Sequence, residues 1–366
     1  MRNILHVIDT TGPGGAETVF IELIDRLNPE LFSSVVVIRG PGWVNDELTH
    51  RGIKPYIVDA KGSFNFKYLL KLIRIIHDEN IDLVQAHLLG SSVYCSIAGL
   101  LTGRPVVVTL HGVVDYDGEK YLPAKFLIIN KLAARIILVS NDLSGRLQKK
   151  VKLNMKKISI VYNGIDIKSY SQCKNDEIRN QLGFGRDDPI VGSVGNVRVA
   201  KAYDILLNAA ALLVKDVPHI KFVIVGDINN AIFGSLRELR TQLGLDNVVH
   251  FIGFRRNIAR FLNSIDIFML SSTTEGCPIS VIEAMACGVP MVVTNCGGLS
   301  EMVKPNTSAV MCEINSALAL KDGVIHILND SELRKRLTAN SIKIAESRFS
   351  IEAMIDVYSS IYIDII

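Results

Sequence analysis

Two glutamates eight positions apart, Glu275 and Glu283, bracket the stretch Glu275-Gly276-Cys277-Pro278-Ile279-Ser280-Val281-Ile282-Glu283. The glycine turn predicts a helix opening near Ile279 and Ser280, and the free N–H groups and positive dipole end of that helix suit a phosphate. Glu283, about one turn in, would accept two hydrogen bonds from vicinal hydroxyls such as those of a ribose. Glu275 would then lie beside the phosphates, where a sugar has to be. As bare structure, the same block is a helix with a capping acid. A second cluster, Gly195-Asn196-Val197-Arg198-Val199-Ala200-Lys201, sets two cations three residues apart after a β-rich run. Arg198 as a two-pronged donor and Lys201 as a point charge would neutralise a diphosphate. The alternative is a solvated loop with two surface cations.

Fainter signals surround these. Gly226-Asp227 and Gly253-Phe254 end the next two apolar runs, where they would wall a nucleotide base. In Thr10-Thr11-Gly12-Pro13-Gly14-Gly15-Ala16-Glu17 the glycines let backbone N–H groups approach an anion, or simply make a tight turn. Glu17 stands where a dinucleotide loop needs its third glycine, and the second apolar run ends in Arg39 rather than an acid, which disfavours NAD. His111, in Thr109-Leu110-His111-Gly112, would exchange a hydrogen bond with a substrate hydroxyl or serve as a bonded structural residue.

Loops of this kind act only when strands and helices hold them in place. Short Val/Ile-rich runs predict strands at Ile4–Ile8, Ser34–Ile38, Ile53–Val58, Leu83–Ala86, Val106–Leu110 and Ile136–Val139, with helices at Ala16–Leu27, Asn45–Arg51, Phe66–His77 and Ser91–Leu101. After a hydrophilic stretch near 168–189, a second array has strands at Ile190–Val194, Lys221–Val225, Val248–Ile252, Ile267–Leu270, Met291–Thr294 and Ala309–Cys312. Its helices are expected at Asp204–Lys215, Leu236–Leu243, Ile258–Asn263, Ser280–Cys287 and Glu332–Ser347. Continuous rather than alternating apolar strands mean that helices cover both sheet faces. The expected architecture is α/β: two Rossmann-like, doubly wound domains facing a cleft. They would span residues 1–167 and 168–350, and the strandless apolar helix 351–366 would either cap its own domain or pack back across the first.

Composition agrees with a globular enzyme and removes several classes. The 366 residues exceed one comfortable core, and 48% hydrophobic with 21% charged is ordinary for a globular chain. A net charge of +3 is too mild to make nucleic acid the main partner. It is unevenly spread: residues 1–165 hold 20 cations against 15 acids, the remainder 20 against 22. No run approaches a membrane span, and the N-terminal apolar run meets Asp9 too soon for a signal peptide. Six cysteines without Cys-x-x-Cys or zinc spacing predict free thiols and a cytoplasmic protein.

Taken in order, the motifs resemble glycosyltransferase family 4, retaining enzymes of the GT-B fold that use nucleotide-diphosphate sugars. The resemblance covers nearly the whole chain. It rests on Gly14-Gly15-Ala16-Glu17, Thr109-Leu110-His111-Gly112, Asn163-Gly164-Ile165-Asp166, Arg198 with Lys201, Glu275-x7-Glu283 and Gly297-Gly298-x-x-Glu301. It implies that Arg198 and Lys201 hold the diphosphate, that Glu275 contacts the donor sugar and that Glu283 takes the ribose hydroxyls. It also implies that amides at Gly14-Gly15 and around Pro278–Ser280 complete a phosphate cradle, that His111 contacts the sugar, and that the helix 351–366 crosses back onto the first domain. The chain departs from the family at Cys277 and Pro278, where Phe-Gly is common, at Ala202 for the usual glycine, and at Asn196 for arginine.

Transfer would then be metal-independent, since no Asp-x-Asp falls where it would hold a divalent ion between strands. The donor would be a UDP-sugar, with a GDP-sugar second, and the acceptor a saccharide or lipid-linked saccharide of cell-surface polysaccharide or glycolipid synthesis. Arg146 to Lys157 holds six cations among Leu147, Val151, Leu153 and Met155, which suits peripheral contact with anionic headgroups or a plain solvated face. Three competing functions stay open: a nucleotide-sugar 2-epimerase of the same fold, an NADP-dependent dehydrogenase, and a non-catalytic nucleotide-binding protein.

Overall fold

A computed structural model describes residues 1–59 and 65–366. The chain divides into two compact units, residues 1–163 together with 351–366, and residues 164–350. In the first, β1 (Arg2–Ile8), β2 (Phe32–Ile38), β3 (Tyr56–Ile57), β4 (Leu83–His87), β5 (Val106–Leu110), β6 (Arg135–Leu138) and β7 (Ile158–Ile160) form one sheet in the order β3-β2-β1-β4-β5-β6-β7. Every pairing is parallel. All residues of β4 and β5 are buried, as helices on both faces require. At the edge the expected strand 53–58 shrinks to two exposed residues, since Pro55 has no N–H to donate to a ladder.

In the second unit β8 (Ile190–Val194), β9 (Lys221–Val225), β10 (Val249–Phe251), β11 (Ile267–Leu270), β12 (Met291–Thr294) and β13 (Val310–Cys312) pair in the order β10-β9-β8-β11-β12-β13, again all parallel. Val191, Leu207, Ile224, Met269 and Val292 lie in its buried core. Both units are therefore doubly wound. The first strand of each sits centrally, and the chain leaves it in both directions. At such a reversal the loops following the two central strands diverge and leave a crevice at their carboxyl ends. The loops concerned are those after β1 and β4 in the first unit, and after β8 and β11 in the second.

The helix Ile351–Ile365 belongs to the first unit. Tyr362 donates to Gln85 Oε1 at 2.9 Å, Gln85 Nε2 donates to Thr109 Oγ1 at 3.0 Å, and Thr109 Oγ1 shares a hydrogen bond with Tyr358 at 3.1 Å. All four side chains are buried. The network joins the end of the chain to β4 and β5, two residues before His87 and His111.

Side chains cap several helices: Asn65, Ser140, Asn257, Ser316 and Asp330 each accept from a backbone N–H of the first turn. The helices Gly15–Arg26 and Ile279–Ala286, which follow β1 and β11, begin at Gly14 and Pro278 without such a cap. Helices Leu122–Leu132, Asn141–Gln148 and Ala317–Asn329 were not expected from sequence. The six cysteines are free, and no helix among the described residues is long and apolar enough to cross a membrane.

Candidate functional site

The reversal in the second sheet brings Lys201 and Glu275 together. Lys201 Nζ lies 2.7 Å from Glu275 Oε1, and the side chains are only 16% and 14% exposed. Ser272 Oγ donates to the same oxygen at 2.6 Å. The two loops are stitched by Ser271 Oγ donating to the Lys201 carbonyl at 2.7 Å and by Thr273 N–H to the Ala200 carbonyl at 2.8 Å. Ala202, in the left-handed region at φ +46°, turns the chain into the helix Tyr203–Asp216. Gly297 is also left-handed (φ +54°), and a Cβ there would collide with the Glu275 carbonyl, so this glycine lets the backbone behind Glu275 close up. Arg198 is exposed and has no ion-pair partner among the described residues. The Lys201–Glu275 pair cancels its own charge, so Arg198 supplies the net positive field here.

The neighbouring loops form a connected floor. Asp227 N–H donates to Asn196 Oδ1 at 2.9 Å, Asn230 Nδ2 to the Val197 carbonyl at 2.7 Å, and Gly226 N–H to the Gly253 carbonyl at 3.1 Å. Asp227 and Phe254 thus stand in adjacent loops, with Phe254 42% exposed. Asn196, at the position where the resembled family often carries arginine, instead ties two loops together.

Gly276, Cys277, Pro278, Ile279 and Ser280 are all buried. With the Cys277 side chain turned inward, this turn offers a ligand its backbone. Glu283 is 7% exposed, and burial pushes its carboxyl up to about 7. The opposing influence is Tyr170, whose hydroxyl donates to Glu283 Oε1 at 2.6 Å. Tyr170 ends the 3-10 turn Ile167–Tyr170, which follows Asn163-Gly164-Ile165-Asp166, and Asp166 caps that turn by accepting from Lys168 N–H at 3.2 Å.

The first unit has a different character at its own reversal. His111 Nε2 and His87 Nδ1 share a hydrogen bond at 3.0 Å, their planes 18° apart. The other nitrogens, His111 Nδ1 and His87 Nε2, are buried without hydrogen-bond partners among the described residues. Asp115 accepts from the backbone N–H of His111 at 2.5 Å and of Gly112 at 3.2 Å. Burial drives these groups toward their neutral forms: Asp9 up to about 6, Asp115 up to about 7, and His111 and His6 down to about 3, with His87 lowered as well. The buried Glu17 carboxylate folds back beside Gly14, close enough that a Cβ on Gly14 would clash with it. The Gly14-Gly15 amides therefore have a carboxylate for a neighbour.

Of the residues singled out by sequence, Lys201 and Glu275 touch, and Asp227 and Phe254 lie on adjoining loops of the same sheet. Gly14, Gly15 and His111 belong to the other unit. Sequence reasoning missed Ser272, Tyr170, Asp9, His87 and Asp115. The Ser271–Thr274 run was the available signal for Ser272, while Tyr170 is 113 residues from the glutamate it meets.

Comparison with known proteins agrees with this geometry. A sequence profile of glycosyltransferase family 4 matches residues 13–169, and one of glycosyl transferases group 1 matches residues 174–344. The N-acetyl-alpha-D-glucosaminyl L-malate synthase of Bacillus anthracis is 26% identical, over 86% of this chain and 83% of that one. An Escherichia coli UDP-Gal:alpha-D-GlcNAc-diphosphoundecaprenol alpha-1,3-galactosyltransferase is also 26% identical, over 96% and 94%. The crystal structure of Anabaena HepE in complex with UDP and glucose superposes with a TM-score of 0.90 over all of both chains at 23% identity, which establishes the shared GT-B fold. With both halves matched in order and the fold in common, the chain belongs to the family 4 and group 1 glycosyltransferases.

Proposed function

We propose that this glycosyltransferase moves a sugar, with retention, from a UDP-sugar to a saccharide or lipid-linked acceptor in cell-surface polysaccharide or glycolipid synthesis. The observation that carries this is the crevice of the second sheet, where uncompensated Arg198, the Lys201–Glu275 pair and an uncapped helix start follow central strands. As the sugar–phosphate bond breaks, negative charge builds on the diphosphate and positive character on the sugar. Cations and a helix dipole already in place stabilise the former without reorganising. As the diphosphate approaches, Lys201 turns toward it, and Glu275 is left to accept from the donor sugar. Glu283 accepts from the ribose, Asp227 and Phe254 flank the base, and the amides from Gly276 to Ser280 reach the phosphates.

In a retaining transfer the acceptor hydroxyl attacks the face that the diphosphate leaves. The new C–O bond forms as the old one breaks, and the acceptor's proton passes to the departing phosphate oxygen. Residue charges serve here in place of a metal ion. Support for the UDP choice is the UDP and glucose complex of Anabaena HepE; support for a lipid-linked acceptor is the diphosphoundecaprenol substrate named for the E. coli relative.

Differential scanning fluorimetry tests the assignment. UDP is expected to raise the melting temperature more than GDP, ADP or NADP, and Glu283→Ala to abolish the shift. No shift with any nucleoside diphosphate would count decisively against it.

A peripheral encounter with an anionic membrane, from the cytoplasmic side, belongs to the same proposal. Within Arg146 to Lys157, Arg146 pairs with Asp142 and Lys150 with Asp117, while Lys157 caps the carbonyls of Asn130, Lys131 and Ala133. Lys149, Lys152, Lys156 and Met155 stay exposed, and they would meet the headgroups. Co-sedimentation with phosphatidylglycerol vesicles should fall as salt rises, and salt-independent or absent binding removes the idea.

A further inference from the structure

We propose that Tyr170 is a positioning residue for nucleotide binding: its hydroxyl holds Glu283 Oε1 so that Oε2 is presented in one orientation to the ribose. This deepens the proposed function and rests on Glu283 being the ribose contact.

A carboxylate carried on three rotatable bonds and buried in a helix has two problems as a binding group. It can rotate, and burial favours its protonated form, which gives up acceptor capacity for an O–H. One fixed donor on one oxygen addresses both. The 2.6 Å hydrogen bond from Tyr170 is short enough to be a strong, charge-assisted contact when Glu283 is ionised. It opposes the burial that lifts the carboxyl. The phenol and the Cys287 thiol, one turn along the same helix, are the titratable groups interacting with Glu283, and the thiol, itself pushed up to about 12, stays neutral throughout the useful range. The helices Ile258–Leu262 and Ser331–Arg348 also pack on this element, and no charged group of theirs enters the balance that sets Glu283.

The placement of Tyr170 is itself built. Asp166 closes the turn that delivers it, and the backbone just before is anchored by Ile165 N–H donating to the Phe349 carbonyl at 3.0 Å. The Asn163-Gly164-Ile165-Asp166 motif thereby leads the chain into the tyrosine that orients the glutamate.

The test is isothermal titration of UDP into the full-length protein at pH 7.0 and pH 8.5, with Tyr170→Phe and Glu283→Gln. Without the phenol O–H, the Glu283 carboxyl rises further and is mostly protonated at pH 7.0. UDP affinity is expected to fall roughly tenfold there and to recover most of that loss at pH 8.5, where the carboxyl ionises again. The double variant should bind no worse than Glu283→Gln alone. A loss of equal size at both pH values, or no loss, overturns the role of Tyr170 provided that Glu283→Gln weakens UDP. Should Glu283→Gln bind UDP as the parent does, the ribose assignment fails instead, and this proposal with it. Melting temperatures of the two single variants without nucleotide separate either result from misfolding.

Discussion

The two sheets share one topology and put opposite chemistry at the point where it reverses. At the crevice of the second, charge is kept: Lys201 and Glu275 remain a 2.7 Å ion pair and Arg198 stands uncompensated in solvent. At the crevice of the first, burial works against charge, raising Asp9 and Asp115 and lowering His6, His87 and His111. Overall composition points the other way, since the front half is the cationic one and the back half slightly acidic. A fold therefore does not decide the sign of its binding loops, and neither does net charge. A few side chains and their burial do. A charged crevice suits a diphosphate, and a neutral one rich in hydrogen-bonding groups suits sugar hydroxyls.

Replacing the pair in the second unit should have the largest effect. Lys201→Ala is expected to lower the transfer rate about a thousandfold, as removal of a transition-state charge partner does, and to destabilise the protein by stranding Glu275. Adding Glu275→Gln should restore the melting temperature while the rate stays low. Recovery of both would break the contrast. Arg198→Ala, exposed and unpaired, is expected to cost about a hundredfold in rate with no change in melting temperature. Its dependence on salt, read from initial rates, should vanish with the guanidinium.

The first unit should respond in stability and in pH dependence. Asp115 is raised from an unfolded value of about 4 to about 7, so the folded state holds a proton that the unfolded chain has released. Its contribution therefore declines as pH climbs through that window, and stays low above it. Asp115→Asn keeps an oxygen to accept from His111 and Gly112 and cannot ionise. It is expected to be more stable than the parent by ~2 kcal/mol at pH 8 and to lose that advantage by pH 4, in urea unfolding at each pH. A smaller loss, about 1 kcal/mol, is expected for Tyr362→Phe, which leaves Gln85 Oε1 buried without its donor.

Much of the framework was legible in sequence, for a physical reason. Strands covered on both faces must be apolar throughout, so Val106–Leu110 and Ile267–Leu270 announce themselves, and glycine turns mark where they end. Leu122–Leu132 stayed hidden because Leu-Pro-Ala-Lys-Phe-Leu-Ile-Ile-Asn-Lys-Leu has no polar stripe to reveal a helical period. Strand β7 is only Ile158-Ser159-Ile160 beside two lysines, too short to carry a pattern. Within the candidate site, motifs singled out Arg198, Lys201 and Glu275 as charged residues after strands, and Glu283 by its spacing from Glu275. Their pairing was not legible, since Lys201 and Glu275 meet only once β8 and β11 have become neighbours. Tyr170 and His87 lie outside any motif, and only packing brings them to Glu283 and His111.

The bond between Thr109 and Tyr358 spans 249 residues of chain, and that between Gln85 and Tyr362 spans 277. A ribosome making this polypeptide must therefore finish the middle, 164–350, before the opening 163 residues can receive their last helix. A chain lacking residues 351–366 would leave Gln85 Oε1 and Thr109 Oγ1 without their tyrosine partners, at the ends of the two strands that lead into His87 and His111.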